Sequence, residues 1–103
     1  MVALRKDLPH LFDLGRVVAT PGALQALKDA AVDGKELLDR HHTGDFGDLS
    51  ADDKTANNEA LKDGSQILSA YKLPNGIRIW VITDAAGDDG RRACTTLLLP
   101  NEY

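Results

Sequence analysis

Apolar and polar positions alternate in the last third of the chain, with the period of two expected for β-strands. Residues 65–73 alternate, and a second apolar run covers residues 77–83. Asn75-Gly76 between them is typical of a type I′ hairpin, because both residues tolerate a positive φ angle. Residues 91–99 form a third run, which Pro100 ends. The pattern predicts a three-stranded antiparallel meander with residues 77–83 as its central strand.

Residues typical of helix ends occur before these strands. Thr20 followed by Pro21 favours a helix N-terminus, and Asp33-Gly34 predicts the end of that helix and the start of a second one. The second helix leads into two adjacent histidines. Ser50 predicts the N-cap of a third helix over about residues 51–62, which Gly64 ends.

The remaining N-terminal region completes the predicted fold. Residues 1–14 show neither period and predict an extended lead-in, and Val17-Val18 predicts a short strand. With 43% hydrophobic and 27% charged residues among 103, the composition is that of one globular domain spanning residues 1–103. The predicted class is α+β: a short N-terminal strand, two to three helices, then a three-stranded antiparallel meander packed against the helices.

Charge and cysteine content narrow the function and the compartment. The formal net charge of −4 and the pI near 5.2 disfavour nucleic acid as a partner, since proteins that bind phosphates are usually basic. The single Cys94 cannot form an intramolecular disulfide, and no apolar run is long enough to span a membrane. We therefore expect a cytoplasmic protein. Because a core of this size leaves little spare stability, formation of a homodimer would supplement it.

Acidic residues are concentrated in the middle of the chain. The charged side chains of residues 45–63 are Asp45, Asp48, Asp52, Asp53, Glu59 and Asp63, against Lys54 and Lys62. This imbalance predicts a protein partner with a basic surface. The alternative is an ordinary solvated helix face with its leading loop.

The stretch from His41 to Leu49 holds two imidazoles, two carboxylates and two glycines in nine residues. Adjacent helical histidines diverge by about 100°, so they cannot readily share one metal ion, and we predict neither a metal site nor a cofactor. The alternative to a functional site is a structural role, in which the histidines interact favourably with the dipole at the helix C-terminus and the glycines form a turn. The residues predicted to bind a partner are His41, Asp45, Phe46, Asp48, Asp52 and Asp53.

A metal-independent ribonuclease is the competing hypothesis. In it, His42 transfers a proton, Tyr71 orients the substrate, and Arg91 and Arg92 contact phosphate. This requires residues that are distant in sequence to converge. Tyrosine is also common in strands for its β-propensity, and paired arginines often form surface ion pairs.

Several motifs together resemble one known family. They are HHTGDFGDL from His41, Asp53, Asn57, and the later runs ILSAY, WVIT and TTLLLP. The chain resembles small bacterial "plasmid-related proteins" of plasmids and integrated mobile elements over about residues 13–103. The hypothesis that the chain binds or inhibits a host-defence or restriction complex rests on its acidic middle region, its incomplete catalytic set and its small size. The resemblance itself implies only a mobile-element context. It implies no activity, and the chain departs from the pattern at Phe46, where Trp is usual, and at Gln66, where Arg is common.

Overall fold

The structure, a computed structural model, describes residues 9–103 and has the predicted α+β class. Residues 9–14 form neither helix nor strand, and the rest of the predicted lead-in, residues 1–8, lies outside the described residues. In chain order the elements are β1 (Arg16–Ala19), α1 (Pro21–Ala30), α2 (Gly34–His42), α3 (Ala51–Asp63), β2 (Ile67–Lys72), β3 (Arg78–Thr83), β4 (Cys94–Leu98) and a 3₁₀-helix (Pro100–Glu102).

The sheet is mixed and has four strands in the order β1-β4-β3-β2. Strand β3 pairs antiparallel with both β2 and β4, whereas β1 pairs in parallel with β4, with Val17 in register with Thr95. The sheet is therefore mixed and not the antiparallel meander alone: β2, β3 and β4 pair antiparallel with β3 central, as predicted, but β1 adds a parallel fourth strand that was not predicted. Local periodicity detects each strand, but it carries no signal for a parallel pairing across nearly the whole chain.

The β2–β3 hairpin lies where the sequence predicts it, but its turn has a different type. Gly76 has a φ of +84°, whereas Asn75 does not have a positive φ, so the type I′ prediction was wrong. The Gly76 N–H donates to the Leu73 carbonyl at 2.9 Å, and the Leu73 N–H donates to the Ile77 carbonyl at 2.8 Å. Pro74 explains the difference, because its ring fixes φ near −65° at the second turn position.

Two predicted helix starts and one helix end are confirmed. The Thr20 hydroxyl accepts the Ala23 N–H at 3.1 Å, and the Ser50 hydroxyl accepts the Asp53 N–H at 3.1 Å. Gly64 ends α3 in the left-handed conformation, with a φ of +81°. Local side-chain chemistry thus fixes these boundaries.

The end of α1 differs from the prediction. The helix stops at Ala30 because Ala31 is left-handed, with a φ of +56°, and its N–H donates to the Lys28 carbonyl at 3.1 Å. The Asp33 side chain accepts the Lys35 N–H at 3.0 Å and so caps the start of α2. Asp33-Gly34 therefore marks only the beginning of the second helix.

The helices pack on one face of the sheet, as predicted. The main buried apolar cluster consists of Ala23, Ala26, Leu27, Leu37, Tyr71, Leu73, Ile79, Val81 and Leu97, and a smaller one of Phe46, Ala60 and Ile67. On the opposite face, Trp80 contacts Tyr103 edge to face, with ring centroids 5.7 Å apart. None of the helices among residues 9–103 is long and apolar enough to cross a membrane.

Candidate functional site

His41 lies at the centre of a buried chain of hydrogen bonds between α2 and the sheet. Its Nδ1 is 2.5 Å from the Ser69 hydroxyl, and its Nε2 is 2.8 Å from the Thr83 hydroxyl. The Thr83 hydroxyl lies 2.7 Å from that of Thr95, which donates to the Leu14 carbonyl at 2.7 Å. All four side chains are fully buried. The chain of contacts therefore holds the end of α2, three strands and the N-terminal segment together.

The donor and acceptor of these hydrogen bonds follow from the last group in the series, the Leu14 carbonyl. The Leu14 carbonyl can only accept, so Thr95 uses its single hydroxyl proton there and must accept from Thr83. Thr83 must then accept from the Nε2–H of His41, which leaves Nδ1 to accept from Ser69. In a neutral His41 ring the single proton therefore lies on Nε2.

The electrostatic environment of His41 agrees with this assignment. Burial, together with smaller effects of the nearby His42 and Arg92, lowers the pKa of His41 to about 3. A neutral imidazole with both nitrogens engaged is not positioned to exchange protons with a substrate. The contact distances and burial thus assign His41 to the architecture of the core.

His42 projects about 100° away from His41 around α2 and lines a surface groove. Its ring stacks on that of His10, with centroids 3.7 Å apart, and its Nε2 lies 3.9 Å from an Asp39 carboxylate oxygen. Burial lowers the pKa of His42, as does His10, while Asp39 opposes the shift. The groove has a volume of about 590 Å³ and is lined by His10, Phe12, Asp13, Leu14, Gly15, His42, Arg91 and Arg92.

The two predicted phosphate-binding arginines lie before β4, not on it, and have different environments. Arg92 is buried, and its guanidinium donates to the carbonyls of Ser65, Asp84 and Ala60 at 2.7, 3.0 and 3.1 Å. Arg91 is exposed at the groove. Arg92 therefore joins the end of α3 to the loop after β3, which leaves Arg91 as the accessible cation.

Tyr71 belongs to a different cavity, of about 300 Å³. Its hydroxyl donates to the Asp45 carbonyl at 2.5 Å, and the Arg40 guanidinium lies 4.4 Å from its ring centroid. Arg40 also binds the Asp45 carboxylate through two nitrogens, at 2.8 and 3.3 Å, and this hydrogen bond raises the pKa of Arg40. The ring of Tyr71 is buried, so its contacts organise the loop after α2.

The glycine-containing loop after α2 closes one edge of the sheet. Phe46 is buried, and its carbonyl accepts the Ala70 N–H of edge strand β2 at 3.1 Å. The Asp48 N–H donates to the Ala70 carbonyl at 2.7 Å. Gly47 lies between them with a φ of +74°, and a Cβ there would be only 2.2 Å from the Ala70 oxygen. The loop that the sequence indicates as a candidate reactive site thus protects the edge of β2 through backbone hydrogen bonds.

Three exposed carboxylates lie on one side of the acidic helix α3. Asp52, Glu59 and Asp63 project within about 40° of one another around the helix axis, and exposed Ala56 lies between them. We call these four residues the acidic stripe, which extends ~16 Å along the helix. Ser65 hydrogen bonds lower the pKa of Asp63. Lys54 projects from the far side of the helix, whereas Lys62 projects about 60° from Glu59, and Asp53 lies about a quarter turn from Asp52.

The predicted residues are thus divided among separate places. The groove brings His42 and Arg91 together, but it does not contain Tyr71, and the guanidinium of Arg92 is bound to backbone carbonyls. Of the residues predicted to bind a partner, His41 and Phe46 are buried and Asp45 is partly buried, while the exposed ones are Asp48, Asp52 and Asp53. Within residues 9–103, no three His, Cys, Asp or Glu side chains form a metal-binding group.

Sequence reasoning missed His10 and the hydroxyl partners of His41. His10 falls in the predicted lead-in and is 32 positions from His42 in the sequence, so no spacing rule connects them. Ser69, Thr83 and Thr95 each lie on the helix-facing side of a different strand, and a polar residue among the apolar residues of such a face is a detectable signal.

Comparison with known proteins finds no protein-family model, no curated protein and no solved structure that matches this chain.

Proposed function

We propose that this protein is a non-catalytic binding protein whose acidic stripe on α3 contacts a basic surface of a partner protein. The observation that carries the proposal is the clustering of charge on an exposed helix, where three carboxylates lie within an arc of about 40° that contains neither lysine. Clustered like charges of this kind accelerate encounter with an oppositely charged surface and orient the complex.

The attachment of α3 to the sheet supports this role. Asn57 is buried, and its side-chain amide donates to the Leu68 carbonyl at 2.6 Å and accepts the Leu68 N–H at 3.1 Å. Besides Asn57, only Ala60 of α3 is buried. A helix anchored by so narrow a strip presents most of its surface to a partner, and its rigidity lowers the entropic cost of binding.

The nature of the partner rests on the resemblance to plasmid-related proteins. In that context the partner is a subunit of a host-defence, restriction or nucleic-acid-processing complex in the cytoplasm. Such complexes carry basic surfaces for DNA or RNA, which an acidic protein can occupy. Inhibition by occupying such a surface is the expected consequence of binding.

Capture from host lysate tests the proposal. The wild-type protein is immobilised beside a stripe variant, Asp52→Asn with Glu59→Gln and Asp63→Asn, and a control variant, Lys54→Gln with Lys62→Gln. At low salt, where charge attraction is least screened, we expect the stripe variant to recover at least about tenfold less of one specific protein, and the control to recover it fully. Equal recovery by the wild-type protein and the stripe variant, or no recovered protein, contradicts the proposal.

A metal-independent ribonuclease remains the second candidate, favoured by the position of His42 in the groove beside His10 and Arg91. Because burial lowers the pKa of His42, the ring is neutral at pH 7, as a general base must be. If this candidate is correct, the protein cleaves labelled RNA in EDTA and His42→Ala reduces the rate at least about a hundredfold. Tyr71→Phe, in the other cavity, should leave the rate unchanged. Absence of cleavage excludes this candidate.

A further inference from the structure

The two edges of the sheet are protected to different extents. The edge strand β2 is covered by the loop that contains Phe46 and Asp48, through two backbone hydrogen bonds to Ala70. At the other edge, none of the strands among residues 9–103 pairs with the outer side of β1. The two valines there, Val17 and Val18, are 44% and 37% exposed. Exposed β-branched residues on an unpaired edge favour pairing with another strand.

The backbone groups available for such pairing can be named. Arg16 and Thr20 direct their N–H groups toward β4, to the carbonyls of Ala93 at 2.9 Å and Leu97 at 3.0 Å. Because successive residues of a strand alternate, Val18 also faces β4. The N–H and C=O groups of Val17 and Ala19 therefore point outward, away from the sheet.

Opposite charges lie at the two ends of β1. Arg16 is exposed at the N-terminal end. At the C-terminal end, the Thr20 hydroxyl donates to the Glu102 carboxylate at 2.6 Å, and the Leu99 N–H donates to the same oxygen at 2.7 Å. Arg16, Val18 and Thr20 share one face of the strand by alternation. A cation at one end and a fixed anion at the other make this edge complementary to an antiparallel copy of itself.

We propose that a second copy of this chain pairs antiparallel with β1 and extends the sheet across a two-fold axis at Val18. In this register Val17 of one copy lies opposite Ala19 of the other, which gives about four backbone hydrogen bonds. Arg16 then lies opposite Thr20 of the second copy, beside its Glu102, so the interface includes two ion pairs. A parallel arrangement would instead bring the two Arg16 side chains together, and it lacks the closed symmetry of a dimer.

Sedimentation combined with amide hydrogen exchange tests this pairing. We expect a monomer–dimer equilibrium between about 1 µM and about 1 mM, with slower exchange at the Val17 and Ala19 amides as the dimer forms. The Arg16 and Val18 amides should be protected at every concentration, because they bond to β4. A protein that stays monomeric, or a dimer whose Val17 and Ala19 amides exchange freely, overturns the proposal.

Variants separate this interface from any other. Arg16→Glu should weaken the dimer at least about tenfold at low salt, because it opposes Glu102 with a like charge. Lys72→Glu makes the same charge change on the other edge strand, opposite Arg78, and should leave the dimer intact. Val17→Pro removes only an outward N–H, so it should abolish the dimer while the folded spectrum persists. A dimer that survives both Arg16→Glu and Val17→Pro contradicts the assignment.

Discussion

The Nε2 atom of His41 lies 2.8 Å from the hydroxyl oxygen of Thr83, although 42 residues separate the two in the chain. This contact ties the last turn of α2 to the central strand β3, in a place that excludes water. The adjacent His42 is thereby directed away from the core and into the groove. One of the two neighbouring histidines thus supports the fold, and the other lines the groove, where it is 8% exposed.

The burial of His41 predicts a loss of stability in mild acid. The native pKa of about 3 lies below the ordinary value of 6.5, so between these values the unfolded chain binds a proton that the native chain does not. The contribution of neutral His41 to stability is therefore fully present above pH 6.5 and is lost as the pH falls toward 3. We expect the free energy of unfolding, from urea denaturation, to drop by up to about 1.4 kcal/mol per pH unit from His41 alone.

The His41→Gln variant isolates this effect. It should be less stable at pH 7, and its stability should depend less steeply on pH between about pH 6.5 and pH 4.5, where most carboxylates remain charged. His42 contributes in the same direction in both proteins, because its pKa is also lowered. An identical slope in the two proteins would show that His41 titrates normally in the native state.

The hydrogen-bond chain predicts the tautomer of His41. NMR of ¹⁵N-labelled protein should show a slowly exchanging proton on Nε2 and an unprotonated Nδ1 between about pH 5 and pH 8. Thr95→Val removes the group that fixes the direction of the chain and should perturb the Nε2 proton resonance. A proton found on Nδ1 of the wild-type ring would reverse the assigned direction of the bonds.

Arg92 and Arg91 form a matched pair for a stability test. Arg92→Lys replaces a planar guanidinium that donates to three carbonyls with a single ammonium group, and we expect a loss of about 2–4 kcal/mol in the free energy of unfolding. Arg91→Lys changes an exposed side chain and should cost less than about 0.5 kcal/mol. Equal losses for the two variants would refute a structural role specific to Arg92.

Two glycines with similar φ angles test how tightly the loop after α2 packs on β2. Gly47 and Gly76 have φ values of +74° and +84°, but an added Cβ would be 2.2 Å from the Ala70 oxygen at Gly47 and have no neighbour within 4 Å at Gly76. Gly76→Ala should therefore cost about 1 kcal/mol of backbone strain. Gly47→Ala should cost at least about 2 kcal/mol more, as measured by thermal or urea unfolding. A similar cost at both positions would mean that the loop is not packed tightly on β2.

The features that the sequence predicted correctly depend on residues close together in the chain. Thr20, Ser50 and Gly64 each act on the backbone within four residues, so their capping roles follow from local chemistry. The hairpin position follows for the same reason. Only the turn type was wrong, because Pro74 occupies the second turn position and its ring fixes φ there.

The features that it did not predict depend on distant partners. The parallel pairing of β1 with β4, the hydroxyl groups around His41 and the carbonyls around Arg92 each join residues far apart in sequence. A histidine or an arginine considered alone indicates reactivity, and only its three-dimensional surroundings show that its polar groups are already hydrogen-bonded.

The acidic stripe, in contrast, depends only on the helical period, and so it could be derived from the sequence once α3 was predicted.

Site-specific photo-crosslinking tests the central claim, that the acidic stripe is the binding surface, most directly. A benzophenone amino acid is placed at Ala56, within the stripe, or at Asn58, which is exposed on another side of the same helix. In host lysate we expect one specific crosslinked protein from the Ala56 position and much less of it from Asn58. Equal crosslinking from both positions, or none from Ala56, would contradict binding through the stripe.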